Sequence, residues 1–465
     1  MLIIDFFRSK FVKNLLLCAV STAILFIGFF SNGWKVADQK WFVNHQRDME
    51  SHIIGRIVQS NQEGLFSYGG LTGLGSRNKV PVDYFDRPFD FQYAAHFFGL
   101  KFGAYTTYNS QIGGQGMLFS ILDKIIPLPA PKKLPIYHAL TALLSALTIS
   151  FILLWFYWEL GLFVCISVLA SVIFSQWLVV FGKNLWWVMW AFYLPMVLIM
   201  HYLKRYRTAT AWNFKIFGSL VFLAVLIKCF FNGYEYITTT LVMMMVPFVY
   251  YCVLDKLELR TILGGVLTAV ISSFFAISLT LSILCIQIAS VEGGFSKGVE
   301  HIVYSLQKRT YGGGNHAFSP QVLTSLDAST TEVVNDYLQG TFFDLNNYFS
   351  SSNSFISRSI FNVSYVNLIG LFLLISAYLT IRRYIPVAKK EWQTDSALTI
   401  ATWFSAAAPL SWFIFFKAHS YIHTHMNYIV WQMPFTMFGF AVCGLGAKRA
   451  LSDLIYLTNS FRGHH

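Results

Sequence analysis

The sequence predicts an all-α polytopic membrane protein, and its composition is the first reason. Of the 465 residues, 55% are hydrophobic and only 12% are charged, whereas a soluble domain carries about 25% charged residues. The mean hydropathy is +0.53. Aromatic residues reach 18%, which suits a chain with many Trp and Tyr side chains at membrane–water boundaries. The composition excludes an ordinary soluble protein and predicts the lipid bilayer as a partner.

Apolar runs along the chain are the second observation. A spanning helix needs roughly 20 mostly apolar residues. We therefore predict about ten transmembrane helices in a single membrane domain over residues 1–465. The runs lie at 14–33, 136–158, 162–181, 185–203, 216–231, 237–254, 262–288, 365–381, 397–416 and 429–447.

The distribution of basic residues is the third observation. The net charge is +12, but the basic residues form short clusters between apolar runs, which is typical of cytoplasmic loops and not of a nucleic-acid-binding surface. With Arg8, Lys10 and Lys13 in the cytoplasm, alternation of the spans places the clusters at 204–215, 256–260, 382–390 and 448–449 on the same side. The chain is therefore expected to have no nucleic-acid partner.

The same alternation places two large loops, 34–135 and 289–364, on the outer face. Segments 48–59 and 117–126 of the first loop have apolar residues at helical spacing. Each is short enough to lie in the membrane interface as an in-plane helix. Asp48 stands where the first of these helices would need an N-cap.

An acidic motif at the start of the first loop is the leading catalytic candidate. It comprises Asp48, Glu50 and the neighbouring His52. A carboxylate just above a membrane is suited to deprotonate a hydroxyl group that attacks a sugar carbon. The alternative is a structural role, with Asp48 as a helix cap and Glu50 in solvent.

A long first outer loop that opens with Asp-x-Glu and contains two interfacial helices resembles the GT-C glycosyltransferases. The resemblance implies that Asp48 is the catalytic base and that Glu50 supports the base or the acceptor. It also implies a polyprenyl-phosphate sugar donor and a glycan, lipid or protein acceptor. Segments 108–116 and 184–187 resemble bacterial envelope proteins of this kind, and they supply Gln111 and Asn184 as substrate-binding candidates. We expect a bacterial inner (plasma) membrane location with the active site facing the periplasm.

A lipid-phosphate donor requires cations near the outer interface. Lys228 lies inside an apolar run, where a charge is costly and therefore suggests function; snorkelling or pairing with Glu235 is the alternative. Lys308 and Arg309 precede three glycines, whose amides could help to cradle a phosphate. A flexible basic loop would explain the same pattern. Glu235 is itself a substrate-binding candidate.

The last outer turn concentrates His419, His423 and His425 beside Lys417 and Tyr421. Histidine donors could hold a phosphate oxygen, and Tyr421 is a further substrate-binding candidate. His419 and His423 could bind a metal if the turn is helical, but no matching carboxylate motif accompanies them. The prediction is phosphate binding with no metal site and no certain cofactor, and a divalent cation stays open as an alternative.

Two other functions fit parts of the pattern. An envelope polysaccharide polymerase or ligase would use Arg and His residues of a late outer loop, such as Arg309 and His316. A lipid-linked sugar transporter would have repeated halves with broken helices, and no such repeat is visible in the sequence. Inverting sugar transfer remains the preferred interpretation.

Overall fold

The computed structural model describes residues 10–80, 89–207, 213–313, 318–344, 362–384 and 391–462, except the side chains of Asp48 and of several residues beyond 456. Within these ranges the protein is all-α, with two short antiparallel ribbons. The helices are α1 (Lys10–Ser31), α2 (Gln39–Glu63), α3 (Phe89–Phe98), α4 (Gly114–Ile125), α5 (Ala130–Leu160), α6 (Leu162–Ile173), α7 (Gln176–Phe181), α8 (Met189–Tyr206), α9 (Phe214–Asn232), α10 (Ile237–Leu254), α11 (Leu259–Glu292), α12 (Phe295–Arg309), α13 (Pro320–Asp327), α14 (Thr330–Gln339), α15 (Tyr365–Ile381), α16 (Trp392–Ser405), α17 (Ala407–Phe415), α18 (Lys417–Ile422), α19 (Thr424–Asn427) and α20 (Phe435–Arg462).

Seven helical segments in the described part of the chain are long and apolar enough to cross a membrane. They are α1, α5, α9, α10, α11, α15 with the turn that follows it, and α16 together with α17. An eighth is formed if Thr424–Gln432 and Phe435–Tyr456, which meet at a bend of 42°, make one broken span. These apolar helices are those of a membrane protein.

Two of the predicted spans differ from single long apolar helices. In the segment 162–181, α6 is only 12 residues long, which corresponds to about 18 Å. The helix ends there because the chain breaks before α7. Ser175 caps the start of α7 by accepting a hydrogen bond from the Leu178 amide. In the segment 185–203, α8 carries Lys204 and Arg205 in its last turn and is largely buried. It packs against α5, α9 and α10, so its surroundings are mainly protein.

Charged groups meet at one end of the helix bundle. Lys204 and Arg207, at the end of α8, lie 2.5 Å and 3.6 Å from the Glu159 carboxylate at the end of α5. Lys448 of α20 donates a hydrogen bond to the Leu160 carbonyl at 3.2 Å. Two of the basic clusters that the charge pattern assigned to the cytoplasm therefore lie close together, at the end of α5, and the first of them has an acidic partner.

The first large loop is folded around α2, which is longer than the sequence predicted. Strands β1 (Gly73–Ser76) and β2 (Ala104–Thr107) pair antiparallel, with Gly73 opposite Thr107. A Cβ atom at Gly55 of α2 would lie 2.2 Å from the Gly73 carbonyl oxygen, so only glycine allows this strand to pack so close to the helix. Residues 51–60 of α2 are buried within the protein.

Arg56 anchors the chain that leaves α2. Its side chain is fully buried and donates to the carbonyls of Ser67, Gly64 and Leu65 at 2.6 to 2.9 Å. A buried guanidinium requires hydrogen-bond partners, and these carbonyls accept from its two terminal nitrogens. Arg56 therefore fixes the turn that leads to β1.

The second large loop contains α12, α13, α14 and strands β3 (Thr341–Asp344) and β4 (Asn362–Ser364), which pair antiparallel. Lys417 of α18 donates to the carbonyls of Leu326 and Ala328 at 2.8 and 2.6 Å. The Tyr337 hydroxyl donates to the Ser420 carbonyl at 2.7 Å. These contacts fasten the second loop to the last turn before α20.

Candidate functional site

A small polar pocket forms where both large loops meet the helix ends opposite the charged clusters. Four parts of the chain contribute to it: the segment after β2, the segment before α8, the end of α9 with the turn that follows it, and the end of α12. Its volume is about 10 Å³, which holds about one water molecule. The lining residues are Tyr108, Ser110, Gln111, Trp186, Asn232, Tyr234, Glu235 and Arg309.

Glu235 is the acidic group of this pocket. Its Oε1 lies 2.7 Å from Nε2 of His419, and both side chains are mostly buried. Burial alone would raise the pKa of Glu235, but the charge and hydrogen bond of His419, with Arg309 and His423, lower that pKa to about 2. Glu235 is therefore ionised at physiological pH and orients the His419 ring.

The three histidines of the turn before α20 lie close together. The ring centroids of His419 and His423 are 4.4 Å apart, and those of His423 and His425 are 5.4 Å apart. Burial, followed by the neighbouring His419 and His425, holds the pKa of His423 well below its usual range. His425 is exposed and interacts electrostatically with His45 of α2. The last turn thus approaches the first loop.

Arg309 and Lys308 end α12 at the pocket. Arg309 lines the pocket and interacts electrostatically with Glu235 and His423. Lys308 is partly buried beside it, and burial, with the adjacent Arg309, lowers the pKa of Lys308. Arg309 is the cation among the described residues that line the pocket, so an anion in the pocket would contact it.

Lys228 is fully buried at the end of α9. Its Nζ donates to the backbone carbonyls of Gly233 and Glu235, at 2.8 and 2.5 Å. The contact with residue 235 is therefore to its main chain and not the predicted carboxylate pair. Lys228 holds the turn that carries Glu235. The two carbonyls use two of its three N–H donors, so the predicted contact with a phosphate would rely on the third.

Helix α2 corrects one prediction about Asp48. The helix begins at Gln39, with the side chain of Asp38 accepting from the Trp41 amide at 2.8 Å. Asp48 is therefore not an N-cap but an interior helical residue. Its side chain lies outside the part that the structure describes.

Asp48 shares a helix face with two histidines, because spacings of three and four residues bring His45, Asp48 and His52 onto one side of α2. The His45 ring stacks on Trp187 at a centroid distance of 5.2 Å. The His52 ring lies 5.3 Å from Trp186 and 5.4 Å from Tyr108. Trp186 and Tyr108 line the pocket, so this face of α2 borders it.

Glu50 lies elsewhere on α2 and is buried. It accepts a hydrogen bond from the Tyr93 hydroxyl at 2.8 Å and lies 2.7 Å from Nε2 of His138. The alternative of a solvent-exposed Glu50 is therefore wrong. Glu50 ties α2 to α3 and α5, next to the face that carries Asp48.

A second buried carboxylate, Asp123 of α4, repeats this arrangement. It lies 3.0 Å from His96 Nε2 and accepts from Asn61 and Tyr137 at 2.7 and 2.9 Å. Burial would raise the pKa of Asp123, but these hydrogen bonds lower it below its usual range. Together the two carboxylates fix the first loop onto α5.

The remaining substrate-binding candidates take different positions. Gln111 lines the pocket, and no hydrogen-bond partner for its Nε2 is found among the described residues. Asn184 is fully buried and accepts from the amides of Trp186 and Trp187 at 2.9 and 3.1 Å, so it shapes the pocket wall. Tyr421 is half-buried against the core and is not one of the described residues that line the pocket.

Several site residues were missed in the sequence. His45 could have been found only by starting α2 at Asp38, which brings residue 45 onto the face of Asp48. Tyr93 and His138, the partners of Glu50, carry no local signal because they lie on other helices. Asn232 carries no local signal of a site, and Trp186 lies in the segment 184–187 without being singled out itself. The fold joins both in the pocket.

His52 gives a prediction of pH dependence. Burial lowers the pKa of His52 from 6.5 to about 4, so the unfolded chain binds its proton at a higher pH than the folded one. Stability should fall as the pH drops from about 6.5 towards 4, by on the order of 2 kcal/mol at pH 5. Intrinsic amide exchange itself slows at lower pH, so the test compares protection factors, which are corrected for that intrinsic rate. The protection factors of the α2 amides should be lower at pH 5 than at pH 7. In His52→Gln this loss of protection should shrink, and an unchanged loss would contradict the assignment.

No three His, Cys, Asp or Glu side chains are arranged to hold a metal ion within the ranges described above. The fold and pocket thus define an all-α membrane protein with a convergent polar site of carboxylate, histidine and arginine groups. No protein-family model, curated protein or solved structure matches the chain.

Proposed function

We propose that this protein is an inverting membrane glycosyltransferase that moves a sugar from a polyprenyl-phosphate carrier to an acceptor hydroxyl. The observation that carries the proposal is the position of Asp48 on the α2 face that borders the pocket. In this proposal the first large loop contributes the general base, the second contributes Arg309, and the turn before α20 contributes the histidines. We further propose the full set of about ten spans and the outward orientation of both loops.

In the proposed reaction Asp48 accepts the proton of the acceptor hydroxyl. The hydroxyl oxygen forms a bond to the anomeric carbon, and the bond from that carbon to the phosphate oxygen breaks. The polyprenyl phosphate leaves with the electron pair. Arg309 and Lys308 face this developing charge as cations, and the His419 group (His419, His423 and His425) faces it as hydrogen-bond donors. Preorganised cations and donors are most effective in a poorly solvated site.

Glu235 acts through His419 in this scheme. Its carboxylate is 2.7 Å from Nε2 of His419 and keeps that ring oriented towards the pocket. Glu50 supports α2 through Tyr93 and His138, so it positions the helix that carries Asp48. Because the pocket holds about one water molecule, its walls have to separate before a sugar can enter.

The class of reaction is tested by comparing glycans. Surface glycans and lipid-linked sugars are measured by mass spectrometry in cells with and without the gene. We expect one sugar to be missing from the surface glycans of the deletion strain while its lipid-phosphate form accumulates. A change in glycan chain length alone would favour a polymerase, and unchanged glycans would favour transport.

Replacement of Glu235 by glutamine is expected to lower the transfer rate roughly 10- to 100-fold, because His419 loses the charged group that orients it. Purified protein in vesicles should show this as a lower kcat. Glu292→Gln makes the same chemical change at an exposed residue that accepts from Asn109 at 2.6 Å, so its rate should stay near wild type. Equal transfer rates for the two variants would show that Glu235 has no role in the transfer reaction.

An envelope polysaccharide polymerase is the second candidate, because Arg309, a late-loop arginine, lines the pocket. His316, the other late-loop residue, lies outside the described residues. A polymerase should tolerate the loss of Asp48 and not the loss of Arg309. The two variants therefore distinguish the two enzymes.

A further inference from the structure

Helix α12 (Phe295–Arg309) has an apolar stripe that the described protein does not cover. Phe295, Val299, Val303 and Leu306 are 57%, 44%, 43% and 54% exposed. Their spacings of four, four and three residues place them on one side of the helix. Large apolar side chains in such a continuous row mark a surface that is covered by a partner or by a membrane.

The neighbouring sides of α12 have different surroundings. Lys297 and Glu300 form an exposed ion pair at 3.0 Å, with more than half of each side chain accessible. On the packed side, a Cβ atom at Gly298 would lie 2.8 Å from the Cys285 backbone, so α12 is pressed directly onto α11. The helix therefore has one protein-facing side, one charged side and one apolar exposed side.

The apolar stripe continues the lipid-facing surface of α11. Helix α11 is a candidate membrane span, and exposed apolar residues run along it from Leu259 to Ile286. Ile286 is 62% exposed and directly follows Cys285, the residue that meets Gly298. The apolar surface of α11 thus extends to the level at which α12 crosses it.

We infer that α12 is an in-plane membrane helix whose apolar stripe inserts into the lipid bilayer. A helix with a row of large apolar residues beside a charged side lies at the boundary between headgroups and acyl chains. Continuity with α11 favours lipid over a second protein as the occupant. This membrane contact does not depend on the proposed function.

If the proposed function is correct, insertion of α12 into the bilayer also sets the level of the cations at the pocket. Lys308 and Arg309 end α12, and Arg309 lines the pocket. An inserted α12 holds these cations at the level of the lipid headgroups. The phosphate of a membrane-borne carrier lies at that level, so Arg309 would meet it without the carrier leaving the membrane.

The experiment measures the surroundings of α12 in the full chain. Val299→Cys and Val303→Cys carry a nitroxide label in vesicles of phosphatidylethanolamine and phosphatidylglycerol. Lys297→Cys and Glu300→Cys are the matched controls on the charged side of the same helix. None of the six native cysteines is exposed, and the unsubstituted chain, labelled alongside, supplies the background. Collision with oxygen, which concentrates in lipid, is compared with collision with a water-soluble nickel chelate.

We expect the oxygen-to-nickel ratio of collision rates to be several-fold higher at 299 and 303 than at 297 and 300. Equal ratios on both sides would put the stripe in water and overturn the inference. Labels at 299 and 303 that are shielded from both reagents would also overturn it, because a protein would then cover the stripe. If one of the valine variants fails to insert, the other decides. Either result leaves the glycan comparison, and with it the proposed enzyme activity, to be judged separately.

Discussion

Replacement of Asp48 by asparagine is expected to abolish sugar transfer, with kcat lowered by roughly 10²- to 10⁴-fold. Asparagine has nearly the same shape as aspartate but cannot accept the acceptor's proton. The KM for the donor should change little, because the proposed phosphate contacts come from Arg309 and the His419 group. The measurement is transfer by purified protein in vesicles, followed by mass spectrometry of the product.

Asp90→Asn is the matched control for this experiment. Asp90 also lies in the first loop, and its ion pair with Arg47 at 2.9 Å is largely exposed, so its loss should cost little. Full activity of Asp48→Asn would contradict the proposed base. If Arg309→Gln were inactive at the same time, the polymerase interpretation would replace it.

Replacement of Asp395 by alanine is expected to lower the free energy of unfolding by roughly 3–5 kcal/mol, more than any other replacement considered. Asp395 is 2% exposed and accepts from Nε and Nη2 of Arg449 at 3.0 and 2.9 Å. It also accepts from Arg382 at 3.3 Å. Removing this carboxylate leaves two buried guanidinium groups with fewer partners, and burying an incompletely paired charge is costly.

The loss should appear as a lower thermal midpoint in detergent and a faster loss of folded protein on heating. Glu391→Gln is the control, because Glu391 contacts the same two arginines but its side chain is 34% exposed. Its effect should be much smaller, since solvent and the remaining carboxylates compensate. Equal decreases in the thermal midpoint of the two variants would mean that the burial of Asp395 does not determine how much its ion pairs stabilise the protein.

The sequence anticipated the membrane fold from long apolar runs, because a spanning helix requires that composition whatever its neighbours are. It was less informative for the segments 162–181 and 185–203. Ser175 breaks the first segment into two short helices, and α8 is enclosed by α5, α9 and α10. The apolar composition of a segment indicates that the segment avoids water. It does not indicate whether lipid or protein surrounds the segment.

The start of α2 shows a similar limit. Apolar spacing marked residues 48–59 because that part of the helix is buried in the protein, whereas the first turns of α2 are more exposed and more polar. The N-cap at Asp38 is a short signal that lies before any apolar periodicity. Starting the helix too late made Asp48 look like a cap and concealed its shared face with His45 and His52.

The sequence by itself determined the class of protein, an all-α membrane protein, and the concentration of histidines in residues 417–428. Composition and local charge determine these properties, and neither needs a partner residue. Only the tertiary structure decided that Glu235 pairs with His419, that Glu50 is buried against Tyr93 and His138, and that Lys228 binds carbonyls. Each of these choices depends on which distant group fills the space around a buried charge, because a charge removed from water takes whatever partner the packing supplies.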